Sequence, residues 1–185
     1  MKSLLPALLF SLISGGCSYQ VFPSEVLKGV EPNFDFAHWR MVPSQVEPTR
    51  VQLGGRILET QAIGETITIV TTELPVVNYP AYGPKQGKRK SKGEFVITYQ
   101  GIIDKRFLLP GNRIMVVGIT RGAKLVAVDD VMRSLPALEA RCVHIWKTGD
   151  TDIADYASSG AGYGVLEEET FCTSTSPDSG KRIPA

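Results

Sequence analysis

Between residues 50 and 148 apolar and polar positions mostly alternate with a period of two, the spacing of half-buried β-strands. In RVQLGGRILET (50–60), Val51, Leu53 and Ile57 alternate with polar or glycine positions. In ETITIVTTEL (65–74), Ile67 and Ile69 fall on one side, and Thr66, Thr68 and Val70 on the other. Ile63-Gly64-Glu65 between them reads as a hairpin turn. GEFVITYQGII, NRIMVVGIT and KLVAVDDV supply further β-branched runs separated by Gly, Pro or Asn, and EARCVHIWK closes the series. Strands spaced by about ten residues, interrupted once by YPAYGPKQGKRKSKG, predict a mainly β fold: a small antiparallel OB-like barrel of five or six strands, with short helical turns and a flexible C-terminal tail. Gly54, Gly55, Gly101 and Gly118 sit inside strand patterns, where glycine marks a bulge or a sharp bend.

The flanks have a different texture. Prolines at 23, 32, 43 and 48 leave no room for a long helix in residues 17–49. Two short turns are predicted there. Ser24 would cap Glu25 to Lys28, and Asp35 would cap a turn bearing Phe36, Trp39 and Arg40, because both side chains accept free amides at a helix start. This tether is expected to dock on the barrel domain (50–148) through Phe34, Phe36 and Trp39. A third turn is expected over Asp130 to Leu135, before Pro136. Residues 149–185 are rich in Gly, Ser, Thr and acids, too polar to offset the entropy of ordering, and read as a tail that is disordered from about Thr173.

The first twenty residues change the picture most. Leu4 to Ile13 is an uncharged apolar run behind Lys2, far short of the roughly twenty residues that span a bilayer. A basic start, a short apolar run and small residues Ser14, Gly15 and Gly16 are the parts of a signal peptide, assigned to residues 1–16. Cys17 follows at once, and the junction resembles the lipobox of bacterial lipoproteins, although Ser14 stands where that motif usually has Leu. The resemblance implies cleavage between Gly16 and Cys17, a diacylglyceryl thioether on the sulfur and an acyl group such as palmitate on the new amine. Several chains on one residue hold a protein firmly, where a single chain binds marginally. Ser18 rather than Asp after the cysteine implies, by the same resemblance, the outer membrane and a periplasm-facing domain.

Without residues 1–16, 19 basic side chains balance 19 acidic ones, so no overall field argues for nucleic acid. Any electrostatic function is local. Lys85, Lys88, Arg89, Lys90 and Lys92 form a basic run that would either lie against an anionic envelope surface or serve as a solvated loop. Cys142 and Cys172 remain after Cys17: a disulfide in an oxidising compartment, or two separate thiols. Cys142, His144 and Trp146 share one face of the last strand. A Cys and a His together can serve as a nucleophile pair or as metal ligands, but only His38 and His144 occur and no third ligand stands at motif spacing. No catalytic residue, cofactor or metal is therefore assigned. Tyr79, Tyr82, Phe95 and Tyr99 cluster around the insertion and third strand, which suggests either core packing or a surface for a glycan or peptide. GAGYG (160–164) lacks the strand and helix that a dinucleotide loop needs.

The order of motifs resembles the Slp family of outer-membrane lipoproteins over about residues 45–148. VQLGGRI (51–57), Glu73-Leu74-Pro75, GEFVITYQGIID (93–104), PGNRIMVVGITRG (110–122) and a last strand ending His144-Ile145-Trp146 carry the likeness. The family implies an envelope location, a link to stress or stationary-phase physiology, and no established reaction. Binding or scaffolding is the expected role, with envelope proteins, lipopolysaccharide or peptidoglycan as the partner classes.

Overall fold

The computed structural model describes residues 20–76, 83–84, 93–149, 151 and 166–173. Two short helices, α1 (Ser24–Leu27) and α2 (Phe36–Met41), precede six strands: β1 (Arg50–Ile63), β2 (Thr66–Leu74), β3 (Glu94–Gln100), β4 (Arg113–Val128), β5 (Val131–Trp146) and β6 (Glu168–Cys172). A single 3-10 turn, Lys105–Phe107, lies between β3 and β4. The hydrogen-bonded order is β3-β2-β1-β4-β5-β6, and β3 also pairs with β5 in parallel, Val96 opposite Ala137 and Thr98 opposite Glu139. That extra pairing closes β1 to β5 into a ring, the OB-like barrel that the alternation predicts. Where β3 leaves the edge of β5, β6 takes it over, from Cys142 opposite Cys172 to Trp146 opposite Glu168.

Alternation decides which side chains fill the ring. Ile67, Ile69, Phe95, Ile97, Tyr99, Ile114, Val116, Val143 and Ile145 point inward and are buried. Both mouths are plugged. At one end Phe36 and Trp39 of α2 pack on Phe95 at ring distances of 5.7 and 6.4 Å, and Trp39 Nε1 donates to the Arg121 carbonyl at 3.2 Å. At the other, Ile103, Phe107 and Leu108 around the 3-10 turn close the core. Asp35 caps α2 by accepting from the His38 amide at 3.1 Å.

Four expectations need correction. Ser24 does not cap α1; Pro23 holds that position, and the Ser24 hydroxyl is turned to Glu25. NRIMVVGIT and KLVAVDDV are not two strands but the halves of β4, which passes through Arg121-Gly122 at an irregularity in its pairing with β5. Residues 130–135 form no helical turn: Asp129 and Asp130 both adopt positive φ, 48° and 63°, in a tight turn, and β5 starts directly after them. Short polar side chains tolerate that conformation better than most. Pro136 sits in β5 opposite Ala123, just before β3 joins at Ala137, where an edge position asks for no amide donor. Finally, the tail contains an ordered strand, because β5 offers residues 168–172 a free edge and Phe171 a place against Phe107, rings 5.6 Å apart.

Candidate functional site

Cys142 and Cys172 face each other across β5 and β6 with Cα atoms 4.1 Å apart, and they are joined as a disulfide. No thiol remains at 142 to act as a nucleophile, so the Cys142 and His144 pair offers no thiol chemistry. Two residues along, His144 is almost fully covered, with a side-chain exposure of 4%. Its Nδ1 lies 2.6 Å from Thr170 Oγ1 and its Nε2 3.3 Å from Glu168 Oε2. Burial pushes the imidazole below its ordinary pKa, against the opposing pull of the Glu168 carboxylate. A neutral ring has one N–H. If it donates to Glu168, the single Thr170 hydroxyl proton is shared between Nδ1 and the Val21 carbonyl, 3.0 Å from Oγ1.

That contact ties β6 to the N-terminal segment. Val21 and Phe22 pack with Met115, Val117, Cys142 and Trp146 on the outer face of β4 and β5, joined by Val26, Leu27 and Val30. Phe22 meets the His144 ring edge-on at 6.5 Å, and His144 meets Trp146 at 4.2 Å. The face that carries Cys142, His144 and Trp146 is thus a second, small core that seats the segment leading back to Cys17. Sequence reasoning found that face but missed Glu168 and Thr170. Their signal was no more than the short run Thr170-Phe171-Cys172 within a stretch whose composition is that of a tail.

An OB-like barrel offers ligands the outer surface of its second and third strands. Here Thr68 and Val70 of β2, with Val96 and Thr98 of β3, make up that surface. Val126, Val128 and Leu135 of the long β4–β5 hairpin pack on Val70 and Val96, and Lys124 Nζ donates to Thr68 and Thr98 at 3.1 and 3.2 Å. The chain occupies this surface itself. Phe95 and Tyr99, for which the sequence offers core packing or a ligand platform, take the core reading and point into the barrel at 0% and 3% exposure, because they share a register face with Ile97. A cleft of about 460 Å³ opens beside α2, lined by Arg40, Thr72, Gly93, Glu94, Ser134 and Leu135, with an Arg133–Glu94 ion pair at 3.0 Å beside it.

Gly16, Cys17, Tyr79, Tyr82, the basic run (Lys85, Lys88, Arg89, Lys90 and Lys92) and the GAGYG stretch lie outside the described residues. Among the described residues no helix is long and apolar enough to cross a membrane, and no group of three or more His, Cys, Asp or Glu could hold a metal ion.

No curated protein and no solved structure matches this chain. The model of the outer membrane lipoprotein Slp family matches residues 15–169, from just before Cys17, through the docked N-terminal segment and the whole barrel, into β6. The chain belongs to the outer membrane lipoprotein Slp family.

Proposed function

We propose that the protein is anchored in the outer membrane by acyl chains on Cys17, faces the periplasm, and binds or holds another envelope component rather than catalysing a reaction. The observation that carries this reading is the family match, which begins at Gly15, two residues before a cysteine preceded by small residues. Val21, four residues after Cys17, is already seated on the barrel, as suits a domain held directly at a membrane. Lys85, Lys88, Arg89, Lys90 and Lys92 supply the contact to an anionic envelope polymer or surface, at about 1 kcal/mol per cation near such a surface. The role belongs to stress or stationary-phase physiology, in line with the family resemblance.

Fractionation of cells that make the wild-type protein or Cys17→Ser, with intact mass, tests the anchor. The wild-type chain is expected in the outer membrane with added acyl mass, and the variant in the soluble periplasm without it. A Cys17→Ser protein that still fractionates with the outer membrane overturns the reading.

A further inference from the structure

β1 to β5 alternate in direction, so their connections sort onto two ends of the barrel. The β1–β2 turn, the β3–β4 connection, the end of β5 and the start of β6 share one end. The start of β1, the β2–β3 connection and the β4–β5 hairpin share the other. At the first end three large apolar side chains stand in water: Ile63 at 71%, Ile102 at 83% and Leu109 at 56% exposure. Hydrogen bonds draw their segments together. The Gly101 amide donates to the Glu65 carbonyl at 2.9 Å, which sets Ile102 beside the turn that follows Ile63. Thr60 Oγ1 donates to the Leu108 carbonyl at 3.2 Å, which sets Leu109 beside the same part of β1.

Acids and bases are mixed at this end, with exposed Glu65 in the β1–β2 turn beside Ile63. Asp104 pairs with Arg106 at 2.8 Å, Glu167 with Lys147 at 2.8 Å, and Glu168 lies 3.3 Å from His144. Exposed Lys105 stands on the 3-10 turn between Ile102 and Leu109. Apolar side chains with a cation among them are what an interfacial lipid contact requires.

The direction of the N-terminal segment supplies the occupant. The Glu31 amide donates to the Arg50 carbonyl at the start of β1, whereas Val21 is held by Thr170 of β6 beside the lower part of β5. Traced backwards from Glu31 to Val21, the chain descends the outer wall toward the end that carries Ile102 and Leu109. Four residue steps then separate Val21 from Cys17, a reach of about 14 Å at most. The barrel cannot stand far from whatever holds Cys17, and it presents this end first.

We propose that the end of the barrel formed by Ile63, Ile102, Lys105 and Leu109 rests on the phospholipid surface in which Cys17 is anchored, with the apolar side chains in the interfacial layer. This inference rests on the anchoring reading above. It also directs the β4–β5 hairpin and the cleft beside α2 away from that leaflet.

The test uses the acylated protein in phosphatidylethanolamine and phosphatidylglycerol vesicles. A fluorophore is placed by Ile102→Cys, Leu109→Cys, Leu125→Cys or Met132→Cys, the last two being exposed positions on the opposite hairpin. Nitroxide lipid is expected to quench the labels at 102 and 109 about threefold more than those at 125 and 132. Ile102→Ser combined with Leu109→Ser replaces exposed side chains and should fold normally; it is expected to lower quenching of a label at Ile63→Cys by about half. Equal quenching at both ends, in a chain whose acyl mass is verified, overturns the docking and leaves the anchor standing. Shielding at 102 and 109 that depends on protein concentration and not on the nitroxide assigns the patch to a second copy, and likewise overturns the docking. A wild-type chain recovered from the outer membrane that carries no acyl mass overturns the anchor and the docking together.

Discussion

Reduction of the Cys142–Cys172 bond is the most informative perturbation of the described structure, because β6 has little else of its own. The strand has five residues, only Phe171 joins the main core, and even that residue is partly exposed. The bond spans a sequence separation of 30 residues. For a closed loop of that length the loss of denatured-chain entropy stabilises the native state by about 3.5 kcal/mol. In a domain of this size such a loss lowers the melting temperature by roughly 10 °C. β6 is expected to leave β5 first, taking with it the Thr170 hydroxyl that bonds Val21 and the Glu168 carboxylate beside His144. Calorimetry with and without reductant, paired with hydrogen exchange on the amides of residues 168–172, measures both steps. The double variant Cys142→Ser/Cys172→Ser should match the reduced protein. If the reduced chain melts within about 2 °C of the oxidised one and keeps its β6 protection, the strand is held by β5 and Phe107 alone, and the reasoning fails.

Three further outcomes follow from local geometry. Trp39→Ala opens the mouth that α2 plugs and should cost about 3–5 kcal/mol in chemical denaturation, with tether amides around residues 34–41 losing protection before the barrel does. Gly118→Ala drives a Cβ into the Glu139 carbonyl oxygen at the β4–β5 irregularity and should cost about 2–3 kcal/mol; a neutral effect would mean that the strands part there without strain. His144 has a folded pKa below its ordinary 6.5, so the unfolded chain takes up its proton first as pH falls. The associated stability is full above 6.5 and is lost on acidification toward the folded value. Melting temperatures should therefore fall between about pH 7.5 and 5.5, and His144→Gln should flatten that slope.

Period-two alternation made the barrel legible, since inward residues such as Ile67, Ile69, Val116 and Val143 recur on one face of every strand. What stayed hidden depended on partners distant in sequence. Gly122 reads as a break, yet it lies against Ser44 of the N-terminal segment while β4 continues through it. Pro136 reads as a stop, yet β5 carries it at a place where β3 has not begun to pair. The β6 strand is drowned by its Gly- and Ser-rich surroundings, and whether Cys142 and Cys172 bridge turns on that strand returning to β5. The seat of the N-terminal segment was half legible: Phe36 and Trp39 announce docking, whereas Val21 and Phe22 against Trp146 do not.

The usual ligand surface of this barrel type is closed by the chain's own hairpin, through Val126 and Val128 on Val70 and Val96. A partner that used it would have to displace buried valines and the two Lys124 hydrogen bonds, a cost that an open surface does not impose. The interior is no alternative, since Phe36 and Trp39 fill one mouth and Phe107 and Leu108 the other. With the wall of β4 and β5 taken by residues 21–30, the proposed docking of one end on lipid puts the proposed partner at the far end. There the cleft lined by Arg40, Glu94 and Ser134 lies at Gly93, the residue at which the insertion with the basic run rejoins β3. Under the proposed anchoring, a partner held by that end would sit on the periplasmic side of a barrel whose N-terminal segment lines its wall and plugs its far mouth with α2, so a pull on the partner would reach α2 before the lipid.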